Sequence, residues 1–226
     1  LKKIEKIIFE NTSDKIIFGK NYSYKKNANG FFFKDDFGEM NLPLPNLSGD
    51  FQISNVSTAI TVARSLKQFK ITEAHIKKAI TKIRSEGRLQ EITKGKLRDY
   101  VSKNNQILID GAHNTLAASV IEKYLENLNS KKKIIMLLGM MANKEHKEFI
   151  QIFKNRVQSI IALDIPNQIN FIEKEKLAKI AKSCGISSKT GDSIKKVLKD
   201  IAKENDNAII LFTGSLYFAG EILNLN

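Results

Sequence analysis

One short segment combines residue types that can bind a nucleotide or move a proton. Asp110, His113 and Asn114 surround Gly111 and directly follow the apolar run Ile107-Leu108-Ile109. A carboxylate at the end of a strand can accept hydrogen bonds from a ribose, and a nearby histidine can reach a phosphate or a carboxylate. A purely structural interpretation is that Asp110 ends the strand and Asn114 caps the following helix. The run of five such residues at this position favours ligand binding.

Three further loops follow apolar segments and are rich in small or polar residues: 139–145, 164–166 and 213–217. In the first, Gly139 allows backbone to approach a ligand and Lys144 can contact an anion, although lysines at helix starts are usually solvated. In the second, Pro166 favours a structural turn. In the third, Ser215 belongs to a hydroxyl-rich turn that can cradle an anion or serve as an ordinary N-cap.

Two polar segments precede these loops. Arg88 lies in the run Gly87-Arg88-Leu89-Gln90, at the junction of two differently patterned sections. A guanidinium there can hold a phosphate through two parallel hydrogen bonds, although a surface arginine is the commoner case. Gln52 and Asn55 open the first long helical pattern. Their amides can pair with an adenine edge or merely cap the helix.

The elements that would position these residues follow from the hydrophobic pattern. Apolar strands are predicted at 107–109, 134–138, 159–163 and 208–212, and helices at 116–125, 144–153, 173–184, 193–203 and 215–223. Continuous apolar strands separated by helices are typical of a parallel sheet covered on both faces, which is a Rossmann-like α/β fold. Ligands of such sheets bind beyond the carboxyl ends of the strands, so the four loops should share one edge.

The N-terminal section has a different pattern. Short β-rich runs at 15–19, 22–24 and 30–33 are separated by turn signals, of which Asn29-Gly30 is a hairpin signal. Two helices follow, one over 56–66 and one that begins at the N-cap Thr72 and ends at Gly87. We therefore expect two domains, residues 1–86 and residues 87–226.

Composition excludes several classes of protein. The 226 residues carry a net charge of +13, but the basic excess is spread over the whole chain, which argues against specific nucleic-acid binding. One cysteine and three dispersed histidines exclude a disulfide framework and a transition-metal centre. The longest apolar run has no more than half the length of a membrane span, and we expect a cytoplasmic protein. Neither a G-x-x-x-x-G-K-[ST] phosphate-binding loop nor a G-x-G-x-x-G motif is present.

Six segments, taken together and in order, resemble folylpolyglutamate synthase, which is often bifunctional with dihydrofolate synthase and belongs to the Mur ligase superfamily. They are Gly49 with Gln52 and Asn55, Gly87-Arg88-Leu89-Gln90, Asp110-Gly111-Ala112-His113-Asn114, Leu138-Gly139-Met140 with Lys144, Asp164-Ile165-Pro166, and Gly214-Ser215-Leu216-Tyr217-Phe218-Ala219-Gly220. The resemblance implies an incomplete chain without the family's P-loop half. Residues 1–86 would be the last β-hairpins and helices of the ATPase domain, and residues 87–226 the C-terminal Rossmann-like domain.

The resemblance also implies a reaction. ATP would phosphorylate the carboxylate of a folate or of dihydropteroate, and the amino group of L-glutamate would attack the acyl phosphate. Asn55 would contact the adenine, Arg88 the phosphates and Asp110 the ribose. His113 would meet the phosphate end or the incoming glutamate, and Ser215 the glutamate side.

The same resemblance places the Mg²⁺ ligands outside these residues and implies a monomeric full-length enzyme. A fragment of a murein-precursor ligase, a standalone Rossmann-like nucleotide-binding module and, last, a basic nucleic-acid-binding protein remain as alternatives. The ending Gly214-Ser215-Leu216-Tyr217 favours the folate enzyme over the murein one.

Overall fold

The computed structural model of the chain describes residues 15–128 and 130–226. The chain divides into two compact units, Leu1–Arg84 and Ser85–Asn226. Residues 1–14, which the predicted first domain includes, lie outside the described residues. The two units are described separately below.

The first unit contains an antiparallel sheet of three described strands, β1 (Tyr22–Lys26), β2 (Gly30–Asp35) and β3 (Gly38–Pro43). The Asn29-Gly30 signal correctly predicts the β1–β2 hairpin. The expected strand at 15–19 is wrong: among the described residues, Phe18 makes only an isolated bridge with Tyr22. The Lys20 and Asn21 amides both donate to the carbonyl of Ile17. A tight turn therefore occupies backbone groups that a strand would pair with its neighbour.

Two helices, α1 (Phe51–Ser65) and α2 (Glu73–Lys82), pack on this sheet. The predicted N-cap is confirmed, since the Thr72 side chain accepts from the His75 amide. The predicted end at Gly87 is wrong, because Ile83 leaves the helical conformation with ψ near 138°. The apolar faces of the sheet and helices form one core: Phe31, Phe33, Met40, Leu42, Ile53, Val56, Ile60, Ile76 and Ile80.

The second unit is built on a sheet of six described strands. They are β4 (Gln90–Glu91), β5 (Gln106–Ile109), β6 (Lys133–Leu138), β7 (Ser159–Ala162), β8 (Ser187–Thr190) and β9 (Ala208–Thr213). Their spatial order is β4-β5-β9-β6-β7-β8, and every neighbouring pair is parallel except β4–β5. The predicted parallel α/β sheet is therefore confirmed. The two edge strands, β4 and β8, escape prediction because one has only two residues and the other is polar.

Four helices of the described chain connect the parallel strands: α3 (Thr115–Asn127), α4 (His146–Ile152), α5 (Lys174–Ser183) and α6 (Ile194–Glu204). A further helix, α7 (Leu216–Asn224), follows β9. A short 3₁₀ helix, Lys96–Tyr100, lies between β4 and β5. The central strands are almost entirely buried, and β9 is buried at all of its positions. This burial explains their uninterrupted apolar sequences.

Within the described part of the chain, no helix combines the length and apolarity that crossing a membrane would require.

Candidate functional site

The loops that follow the central parallel strands are joined by backbone hydrogen bonds at one edge of the sheet. Asp110, after β5, donates its amide to the carbonyl of Phe212 in β9 at 2.9 Å, and Gly214 donates to Ala112 at 2.9 Å. Gly139, after β6, donates to Thr213 at 3.2 Å. The expected meeting of these loops at the carboxyl ends of the strands is therefore confirmed.

The loop after β7 is hydrogen-bonded to the loop after β6 and therefore lies at the same edge of the sheet. The amide of Ala142 donates to Asn170 at 3.0 Å, and that of Ile172 donates to Met140 at 3.0 Å. Asp164 accepts the amide of Lys174 at 2.9 Å, which closes the loop at the start of α5. The structural interpretation of the Asp164-Ile165-Pro166 segment agrees with this contact.

Asp110 is almost completely buried, with 4% of its surface exposed. One carboxylate oxygen accepts the amide of Leu89 at 2.8 Å, and the other accepts the amide of Ala112 at 2.7 Å. Burial raises the pKa of the Asp110 carboxyl, while these two amides and the charge of Arg88 act in the opposite direction. Each oxygen therefore already has one backbone partner, and only its remaining lone pair is available to a ligand.

Arg88 lies in a loop that is fixed on both sides. The Gly87 amide donates to the side-chain oxygen of Gln90 at 3.0 Å, and the Gly87 carbonyl accepts the amide of Gly111 at 2.8 Å. Leu89 follows with a φ of 44°, which is uncommon for a residue with a side chain. Because the next residue, Leu89, donates its amide to Asp110, the backbone of Arg88 lies beside that carboxylate.

His113 is half-buried and contacts its own loop. Its Nδ1 lies 3.0 Å from the carbonyl oxygen of Gly111. A carbonyl only accepts, so Nδ1 carries the proton and the neutral ring presents Nε2 as an acceptor. No described residue forms a hydrogen bond with that Nε2. Asn114 caps α3 by accepting the amide of Ala117 at 2.9 Å, so the structural interpretation holds for this residue.

The remaining predicted site residues have more local surroundings. Ser215 is 2% exposed and caps α7 by accepting the Tyr217 amide at 3.1 Å. Asn55 is exposed on α1 in the first unit and donates to the side-chain oxygen of Gln52 at 2.9 Å. The side-chain amides of Gln52 and Asn55 do not cap α1, because the N-cap position of that helix is Asp50.

Sequence reasoning missed the link between Asp110 and Leu89. The two residues are far apart in the chain, and the donor is a backbone amide, which every residue type except proline has. The only sequence signal is the Gly87-Arg88-Leu89-Gln90 run, where the glycine and the amide side chain close the turn around Arg88.

No group of three or more His, Cys, Asp or Glu side chains among the described residues is suited to hold a metal ion.

Comparisons with known proteins agree with this fold. The dihydrofolate synthase/folylpolyglutamate synthase of Buchnera aphidicola from Acyrthosiphon pisum is 27% identical over 207 residues, covering 90% of this chain and 46% of that protein. The dihydrofolate synthetase of Saccharomyces cerevisiae is 23% identical over 192 residues, covering 80% and 45%. The chain thus spans about half the length of these curated relatives.

The same fold occurs in a solved structure of Escherichia coli FolC in complex with ADP. The TM-score is 0.80 at 20% identity, over 99% of this chain and 50% of that one. A family model described as the dihydrofolate synthetase C-terminal domain matches residues 93–225, which include β5 to β9 and the loops at their carboxyl ends. This chain therefore belongs to the dihydrofolate synthetase C-terminal domain family.

Proposed function

We propose that this chain is the C-terminal part of an ATP-dependent ligase that joins L-glutamate to dihydropteroate or to a folate through an acyl phosphate. The observation that carries the proposal is the set of hydrogen bonds that joins segment 87–89, which contains Arg88, to segment 110–112, next to His113, at the carboxyl end of β5. The names of the curated relatives and the ADP in the Escherichia coli FolC structure support the same reaction.

Each residue of this group has a role that suits its surroundings. Arg88 offers a permanent positive charge and a planar fork of donors to phosphate oxygens. Two roles fit Asp110: an acceptor for ribose hydroxyls through the lone pairs that the Leu89 and Ala112 amides leave unused, or a positioning residue through those two amides. Asn55, in the first unit, stays a prediction for an adenine contact.

His113 suits either end of the reaction. Its neutral ring presents Nε2 as an acceptor for a proton of the attacking amine, and its protonated ring presents an N–H to a phosphate oxygen. The contact with the Gly111 carbonyl fixes the ring in both forms. Ser215, buried as the N-cap of α7, acts through the backbone of its turn on the glutamate side.

Phosphoryl transfer places negative charge on the transferring oxygens, which cations near the site stabilise. A divalent metal supplies part of this charge in such reactions. The described residues offer no suitable ligand set, so we assign no step through a metal to this chain.

Nucleotide binding by the chain tests the proposal. We expect ADP to shift the backbone NMR signals of 87–90 and 110–114 saturably. Arg88→Ala should weaken this binding about tenfold or more, because a hydrogen bond to a charged group contributes roughly 1.5–3 kcal/mol. Lys103→Ala is the matched control, since it removes one exposed positive charge before β5, at the opposite end of that strand. Equal losses in both variants, or no saturable shift, would contradict the proposal.

Catalysis by the chain alone should be absent. These 226 residues lack a G-x-x-x-x-G-K-[ST] loop to hold the ATP phosphates. We therefore expect no phosphate release that depends on folate, glutamate and magnesium. Such release from a rigorously pure preparation would overturn this expectation.

A further inference from the structure

We propose that Asp110 is a positioning residue, which holds the Arg88 loop and the His113 loop in a fixed relative arrangement through two backbone amides. The inference rests on the proposed function insofar as Arg88 and His113 serve a nucleotide. A positioning role differs from a ribose contact, because a positioning Asp110 affects nucleotide binding mainly through the placement of Arg88.

The contacts of the carboxylate point to this role. One oxygen accepts the Leu89 amide, from the residue that follows Arg88, and the other accepts the Ala112 amide, from the residue that precedes His113. Both bonds are short, at 2.8 and 2.7 Å, as expected for a charged acceptor. A single buried carboxylate thus joins the chain segments of the two candidate phosphate-facing side chains.

The conformation of Leu89 provides an independent argument. Its φ of 44° is unfavourable for a residue with a side chain, and such conformations persist where surrounding contacts hold them. The Leu89 side chain is fully buried, and its amide donates to Asp110. The Arg88 backbone is therefore held between this amide and the Gly87–Gly111 hydrogen bond.

The short β4–β5 ladder does not replace this anchor. Gln90 and Glu91 pair with Ile109 and Leu108, and the Ile92 amide donates to the Ile107 carbonyl, so the pairing with β5 begins just after the Arg88 loop. The loop itself depends on the Gly87 contacts and on Asp110. Without the carboxylate, the Leu89 amide would be buried without an acceptor, which favours opening of the loop.

Amide hydrogen exchange tests the anchor without any ligand. In Asp110→Asn, both amides lose a charged acceptor, because one then faces the neutral oxygen and the other faces the N–H₂ group. We expect the Leu89 amide to exchange about tenfold faster or more. The control is Asp164→Asn, which changes another aspartate that follows a parallel strand and accepts a backbone amide, that of Lys174. Unchanged Leu89 exchange in Asp110→Asn would overturn the inference.

A measurement on the wild-type chain remains if Asp110→Asn does not fold. The NMR signals of the Leu89 and Ala112 amides should titrate with one shared midpoint when the carboxylate is protonated. Titration of only one of them, or of neither, would contradict a shared anchor.

A double-mutant cycle on ADP affinity separates positioning from ribose binding. If Asp110 acts through Arg88, Asp110→Asn should weaken ADP binding clearly in the wild type and less than about twofold in the Arg88→Ala background. Additive losses would assign Asp110 to the ribose and overturn the positioning role. If the wild type binds no ADP, the proposed function fails, and the exchange of Leu89 still decides whether the anchor exists.

Discussion

Replacing Gly214 with alanine should destabilise the second unit strongly. Gly214 joins the end of β9 to α7 with a φ of +109°, a conformation that residues with a side chain rarely adopt. An added Cβ would lie 2.5 Å from the carbonyl oxygen of Gly139 and 2.8 Å from atoms of Leu138 and Met140. The obstructing atom is backbone of the neighbouring loop, so no side-chain rotation relieves the overlap.

Two terms set the magnitude. A non-glycine residue at positive φ costs about 1–2 kcal/mol, and overpacking in a buried region costs about 1–3 kcal/mol. The free energy of unfolding should therefore fall by about 2–5 kcal/mol, a large fraction of the roughly 5–15 kcal/mol typical of a domain. The same change should displace the loop after β6, because Gly139 donates its amide to Thr213.

The matched control is Gly220→Ala within α7, where an added Cβ meets no atom within 4 Å. Alanine is favoured over glycine in a helix, so this variant should be more stable by about 0.5–1 kcal/mol. The assay is hydrogen exchange of β9 peptides as a function of urea, which reports on the second unit alone. Equal urea midpoints for Gly214→Ala and the wild type would refute the close-approach argument.

Two further predictions concern pH and the C-terminal residue. The pKa of Asp110 is raised by burial, so the folded state binds its proton more readily than the unfolded state does. The stabilisation from Asp110 should therefore be complete below the ordinary carboxyl pKa and be lost as pH rises through the raised pKa. The urea midpoint of the wild type relative to that of Asp110→Asn should accordingly fall as pH rises. A difference in midpoint that does not change with pH would contradict this prediction. Asn226→Ala should lower the unfolding free energy by about 1 kcal/mol, because the Asn226 side chain accepts the Leu97 amide at 3.2 Å and donates to the Lys94 carbonyl at 3.1 Å. Asn224→Ala is its control in the same urea titration, and equal midpoints for the two variants would count against the contact.

Periodicity predicted the elements whose burial is uniform. The strand at 107–109 and the helix that follows it were predicted correctly, because one is apolar throughout and the other repeats apolar residues at helical spacing. The helix start at Thr72, where a side chain makes the cap, was predicted, and capping by Asn114 was one of two interpretations of that residue. Helix ends were missed where backbone geometry decides, as at Ile83.

The polar edge strand β8 shows where periodicity stops being informative. Its four residues, Ser187–Thr190, are mostly exposed and carry no apolar signal. They form a strand because β7 offers an unpaired row of backbone groups along its outer side. Pairing of this kind comes from the neighbouring strand rather than from the segment's own residues.

The sequence alone determined which residue types could do chemistry and, through alternating apolar strands and helices, that their loops would share one edge of a parallel sheet. Only the tertiary structure decided how Asp110 is used. Its carboxylate accepts amides from Leu89 and Ala112, and burial raises its pKa. The physical reason is that every residue except proline has the same backbone amide, so a side chain's backbone partner is set by how the chain folds and leaves no signature in the sequence.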